Sequence, residues 1–131
     1  MLSGVYWRRS GMLRTIDFSH YTNIWILPNY TDMRQGIEKL AAMVQYQLHL
    51  DVFDEHAIFL FCGRQRNRFK ALVYEGDGFT LLYHRTSDSS NHFQWPMSQE
   101  DVLRMTPEQF RRLMNGFAMD PSITIKRKVT S

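Results

Sequence analysis

Arg64, Arg66, Arg68 and Lys70 fall on alternate positions of the stretch RQRNRFKALVYEGDG (64–78), whose first seven residues hold four cations and no anion. Three arginines at this spacing suit phosphate clamping. Each guanidinium is planar, permanently charged and offers a fork of donors. If strand alternation runs through the stretch, Arg64, Arg66 and Arg68 point one way as a row, and Lys70 is expected to point the other way. The competing reading is a solvated loop, since a connection between apolar strands must be polar and arginine is a common choice. Phosphate contacts of this kind supply affinity but little sequence reading.

The same stretch ends in Glu75-Gly76-Asp77-Gly78. Two carboxylates two residues apart could hold a metal, but no third ligand stands at a telling spacing. Asp-Gly is a strong hairpin signal, and Asp tolerates the positive φ that such turns need. Asp32, Glu75 and Asp77 can be imagined as a metal trio. Asp32 fits better as a helix cap, and the other two fit a turn. The histidines, His20, His49, His56, His84 and His92, show no paired ligand spacing and read as structural or surface groups. No serine stands in a nucleophile elbow, and no glycine-rich phosphate loop occurs. Cys62 lies inside the apolar run AIFLFC, where burial holds back the reactive thiolate. No catalytic residue, metal, cofactor or small-molecule substrate is therefore expected.

These residues need a scaffold. NIWILP (23–28) reads as a first strand that stops at Pro28. Asp32 is the expected N-cap of a long helix over 31–49, with Gln35 as its capping-box partner. Met33, Ile37, Leu40, Ala41, Val44 and Leu48 follow the spacing of one helical face. Gly36 inside that helix implies a close approach to another element. AIFLFC (57–62), FKALVY (69–74) and FTLLYH (79–84) are three strands on short connections, so antiparallel pairing is expected. Phe69, Ala71 and Val73 share one face; Phe79, Leu81 and Tyr83 share another. HFQWP (92–96) reads as a short further strand after the polar loop 87–91, and SQEDVLRM is ambiguous between helix and strand. Thr106 as N-cap, Pro107 at the first helical position and Gln109 as capping-box partner mark a C-terminal helix ending near Gly116. Its buried side is Phe110, Leu113, Met114 and Phe117. The expected fold is α+β: a small, mainly antiparallel sheet with one long helix packed on it and a short C-terminal helix.

The chain of 131 residues suits one domain, and at 44% apolar and 14% aromatic it can bury a core. Its net charge of +3 is unevenly spread. Residues 1–21 and 121–131 together carry +5, whereas residues 22–120 carry −2. The expected organisation is an irregular segment 1–21, a single α+β domain 22–120 and a basic tail 121–131. No run approaches the length of a membrane span, so no membrane is expected as a partner. The start of the chain does not make a convincing signal peptide. A lone cysteine excludes an intrachain disulfide, and the expected location is cytoplasmic.

Several strings in order, TDMRQGIEKLAAMV (31–44), IFLFCGRQRNRFKALVYEGDGFTLLYHR (58–85), FQWP (93–96) and MTPEQFRRLMNGF (105–117), are more specific than any one of them. The set resembles the TnpB accessory proteins of the insertion-sequence family numbered sixty-six, over roughly residues 23–117. These are unrelated to the RNA-guided nucleases that share the TnpB name. Departures lie at Thr86, where family members tend to carry Leu, in the longer Ser-rich loop 86–92, and in residues 1–21, which have no assignable counterpart. The resemblance implies a bacterial protein that assists DNA transposition, beside a separate, larger transposase that performs strand transfer.

Two mechanisms follow from the residues. In the first, Arg64, Arg66, Arg68 and Lys70, extended by Arg34 and Arg85, neutralise DNA phosphates near the element ends. No recognition helix is evident, so weak sequence selectivity is expected. In the second, the aromatic strands and the arginines meet the transposase or another protein without contacting DNA.

Overall fold

A computed structural model describes residues 18–87 and 93–114, together with the backbone of 125–127. Strand β1 (Asn23–Ile26) stops before Pro28. After a turn-rich passage comes helix α1, regular over Ile37–Ala42 and widening into a π-helical turn at Met43–Gln47. Strands β2 (Ala57–Cys62), β3 (Arg68–Tyr74) and β4 (Phe79–Arg85) follow on tight connections. Strand β5 (Val102–Met105), helix α2 (Pro107–Met114) and strand β6 (Ile125–Arg127) complete the order. Among the described residues no helix is long and apolar enough to cross a membrane.

The sheet order is β4-β3-β2-β1-β5-β6. Every neighbouring pair is antiparallel except β1 and β2, which run parallel. Parallel neighbours need a crossover, and residues 27–56 supply it, laying α1 across one sheet face. The fold is thus α+β with a mostly antiparallel sheet. It also contains one βαβ unit that the expected hairpin succession did not include.

Both faces are covered. Leu40, Val44 and Leu48 of α1 pack on Phe59, Phe61 and Leu72, with Met33, Ile37, Ala41, Phe79 and Leu81 at the margin. On the other face Phe110, Leu113 and Met114 of α2 join Ile24, Ile58, Leu60, Phe69 and Ala71. All six residues of β2 are buried, as a central strand between two layers requires. Burying each Phe of that strand contributes on the order of 2–3 kcal/mol before entropy is counted.

Several sequence expectations change. Asp32 does not cap a helix with Gln35. Its carboxylate accepts the Arg34 N–H at 2.9 Å and the Arg34 guanidinium as well. A local Asx-type bond of this kind competes with helix formation. The helix begins only after Gly36, which is extended (φ −100°, ψ −165°). Gly36 has open space around its Cβ position, so no close approach explains it. The helix is therefore shorter than 31–49, and His49 leaves it with φ +55°.

Residues 93–96 are not a strand, and His92 lies outside the described residues, as do Gly116 and Phe117. The ambiguous stretch before α2 is strand β5. Part of the expected basic tail pairs with β5 as β6. Phe18–His20 forms a short 3-10 turn, and Phe18 meets Phe110 edge-on at 4.4 Å. At α2 the capping box is formed: Gln109 N–H donates to Thr106 Oγ1 at 3.1 Å, and Thr106 N–H donates to Gln109 Oε1 at 2.8 Å.

Candidate nucleic-acid interface

The turn between β2 and β3, residues 63–67, is held from several sides. Gly63 N–H donates to Arg68 O at 3.2 Å, and Arg66 N–H donates to Gly63 O at 2.9 Å. Gly63 is buried under Met33; a Cβ there would stand 2.8 Å from Met33 Cγ. Arg66 takes φ +60°, an unusual value for a long side chain. Its carbonyl accepts Phe93 N–H at 2.7 Å. Buried Asn67 accepts Thr86 N–H through its carbonyl at 2.9 Å, and its Oδ1 accepts Arg68 Nε–H at 3.2 Å.

This geometry corrects the expected arginine row. Residues 64–67 are a turn, so strand alternation does not reach Arg64 and Arg66. Arg64 lies over the Tyr30 ring at 5.9 Å. Arg66 is near enough to Cys62 for its charge to oppose the rise of the thiol pKa. Lys70 does not point away from Arg68. Both belong to β3, two residues apart, and so share its α1 face. Lys70 Nζ donates to Gln35 O at 2.8 Å and sits 5.7 Å from the Tyr83 ring centre.

Strand β4 brings a further cation. The register pairs Arg68 with Arg85 and Lys70 with Tyr83. Two guanidinium groups thus face each other across a strand pair, with an ammonium on the next position of the same face. Like charges directly opposite are unfavourable in a sheet. Among the described residues none of Arg64, Arg66, Arg68, Lys70 and Arg85 has an ion-pair partner. Among the described residues Arg68 is held by Gln65 Oε1 and Asn67 Oδ1, both neutral.

Arg34 differs. Its side chain is 91% exposed, yet it is paired with Asp32 at 2.9 Å. The Arg34 guanidinium and backbone N–H hold the Asp32 carboxyl down at about 2, and the Asp32 carboxylate raises the Arg34 pKa. Beside this pair opens a depression of about 680 Å³ lined by Asp32 and residues 34–39. Its cations, Arg34 and Lys39, are matched by Asp32 and Glu38, so it adds no net positive charge.

The acids expected as a turn do form one. Glu75 N–H donates to Gly78 O at 2.8 Å, and Tyr74 OH donates to Gly76 O at 2.8 Å. The positive φ falls on Gly76 (+91°), not on Asp77. Glu75 accepts the Thr80 hydroxyl. Asp32 sits beside Gly63, at the start of β3, whereas Glu75 and Asp77 follow its end. Seven strand residues, about 20 Å, divide the imagined metal trio. Cys62 is buried, and desolvation pushes its thiol up to about 12. His84, against Phe69, has its pKa lowered by burial.

Some contacts were not anticipated. His20 stacks on His56 at 5.2 Å, far along the sheet from the arginines. Asn23 links Asp54 (2.8 Å) to Arg104 (2.7 Å), and Arg104 lies 5.7 Å from the Trp25 ring centre. Trp95 Nε1–H donates to Leu27 O at 2.8 Å, and Asn29, with φ +67°, exchanges bonds with Pro96 and Ser98. These bonds tie the cation-bearing end to the passage before β5. The Arg68–Arg85 pairing carried a signal in the sequence: once Glu75–Gly78 is the turn, counting back along both strands brings them opposite.

A family model described as "IS66 Orf2 like protein" matches residues 22–123. An uncharacterized protein of Sinorhizobium fredii (strain NBRC 101917 / NGR234), y4hO, is 32% identical over 93 residues. That alignment covers 71% of this chain and 78% of the relative. No solved structure matches.

Proposed function

As the chain belongs to the IS66 Orf2-like family, and is a transposition-associated accessory protein of that kind, we propose that it grips the DNA backbone with Arg68, Lys70 and Arg85. Arg64 and Arg66 flank that face, and Arg34 contributes less because Asp32 already neutralises it. The role is non-catalytic and cytoplasmic, with the DNA of the element ends as ligand and the transposase as the catalytic partner. The observation that carries this reading is the unopposed Arg68–Arg85 pair with Lys70 beside it. A sheet spends stability by holding like charges opposite each other, and an anion placed over them removes that cost. Guanidinium groups match phosphate oxygens in pairs. The sequence offers no recognition helix, and the cations stand on the sheet beside the start of α1, so phosphates, not sequence, are what this surface recognises.

The second reading is the transposase as the direct partner without DNA contact; the −2 balance of residues 22–120 favours it, since a net-negative body is repelled by a polyanion, and the arginines would then meet an acidic patch of that protein. Reversing the charge of Lys70 and Arg85 together separates the two. Loss of DNA binding with transposase capture intact supports the DNA reading; loss of capture with DNA binding intact supports the other.

A further inference from the structure

Strand β4 is an edge strand, and among the described residues nothing pairs with its outer side. It is seven residues long, FTLLYHR, with no proline or lysine to discourage pairing. Natural edge strands are commonly guarded by such residues. None of its residues is fully buried, although four of seven are apolar or aromatic. By contrast β2, apolar at all six positions, is buried throughout.

We infer that β4 pairs antiparallel with β4 of a second copy of this chain, centred on Leu82, joining the two sheets into one. That register uses the whole strand. Leu82 meets the second copy's Leu82, Leu81 its Tyr83, Thr80 its His84, and Phe79 its Arg85. Each pair lies on a common face and none sets like charges opposite. Tyr83, 49% exposed in the single chain, gains an apolar neighbour. The contact is isologous and closes at two chains, so it does not propagate into fibres. A twofold axis perpendicular to the sheet leaves both Arg68–Lys70 clusters on one face of the joined sheet.

The test is sedimentation of the full chain at micromolar concentration, with Leu82→Lys and two cysteine variants. Expected is a dimer for the native chain and a monomer for Leu82→Lys, which sets two ammonium groups on the axis. Leu82→Cys should form a covalent dimer on mild oxidation, since directly opposed strand residues lie within disulfide reach. Thr80→Cys should not, as its opposite residue is a histidine. The buried Cys62 does not interfere. If Leu82→Lys loses its fold by circular dichroism, the cysteine pair decides alone. A native monomer overturns the inference. So does a dimer that survives Leu82→Lys, or one in which Thr80→Cys links as readily as Leu82→Cys. A native monomer whose capture by transposase is lost in Leu82→Lys assigns the edge to that protein instead.

Discussion

The two turns that bound β3 are built in opposite ways. The acidic turn, Glu75–Gly78, satisfies itself: Thr80 donates to Glu75, Tyr74 reaches Gly76, and a glycine takes the positive φ. The basic turn, residues 63–67, does not. An arginine takes the positive φ, a glycine lies crushed under Met33, and Arg68 faces Arg85 without an acid. The hydrogen bonds of the acidic turn stay within a few residues, although Phe53 and Glu55 pack beside it. The basic turn is fixed by residues distant in sequence, from Met33 to Phe93. This contrast, a backbone braced from several elements under charges with no acid among the described residues, is what supports the proposal that the surface meets an anion from outside the chain.

The largest expected effect comes from removing that bracing. Trp95→Ala deletes a buried ring and the Leu27 bond at the basic end, and should cost about 3–5 kcal/mol in a denaturant melt. Phe53, at the acidic end, is half exposed, and Phe53→Ala should cost well under half as much. Equal losses would erase the contrast between the ends.

Next come the two glycines. Gly63→Ala forces Met33 or Arg68 aside and should cost about 1–3 kcal/mol. Gly76→Ala places its Cβ in ordinary contact with the Glu55 carboxylate, 3.5 Å away, but at a positive φ, and should cost about 1–2 kcal/mol. The informative difference is in DNA binding, measured by fluorescence polarisation. Gly63→Ala should weaken it through displaced Arg68, and Gly76→Ala should leave it unchanged.

Arg68→Glu sharpens the comparison in a smaller but more telling way. It replaces a like-charge pair by an attractive one across from Arg85, so the folded state should gain about 0.2–1 kcal/mol. DNA affinity should fall at the same time. A variant that melts later and binds worse identifies a surface held for function and not for stability.

The smallest effect concerns Asp32. Its carboxyl, ordinarily near 3.8, is depressed to about 2 in the fold. A depressed carboxyl contributes stability that is present above the unfolded value and is lost as pH falls through the folded one. The loss should therefore run from about pH 4 down to about pH 2, and it should be slight because both side chains are solvent-exposed. An NMR titration of the Asp32 carboxyl checks the value. Asp32→Asn should release Arg34 to the cation surface and steepen the salt dependence of DNA binding by about 0.9 for one added phosphate contact.

What was legible in the sequence was mostly local. The Thr106–Gln109 box lies within four residues, and the hairpin β3–β4 is set by the Glu75–Gly78 turn, so both were readable. The start of α1 was not. Asp32 offers its carboxylate to a cap or to Arg34, and only the extended Gly36 decides between them. The parallel β1–β2 pair was hidden because it forms across residues 27–56. The arginine row failed because nothing about Arg66 announces a positive φ, and because the turn ends one residue before β3. The pairing that matters most, Arg68 with Arg85, follows from the hairpin register and needed only to be counted out.

The most direct measurement is fluorescence polarisation of the native chain on labelled terminal inverted-repeat DNA. A scrambled duplex runs beside it across a salt series, with Arg68, Lys70 and Arg85 changed together to Ala. Expected is salt-sensitive binding, near equal on both duplexes, with a log–log slope reduced by about 2.7 in the triple variant. Binding that keeps its strength and slope in the folded triple variant would contradict the assignment of this face to DNA phosphates.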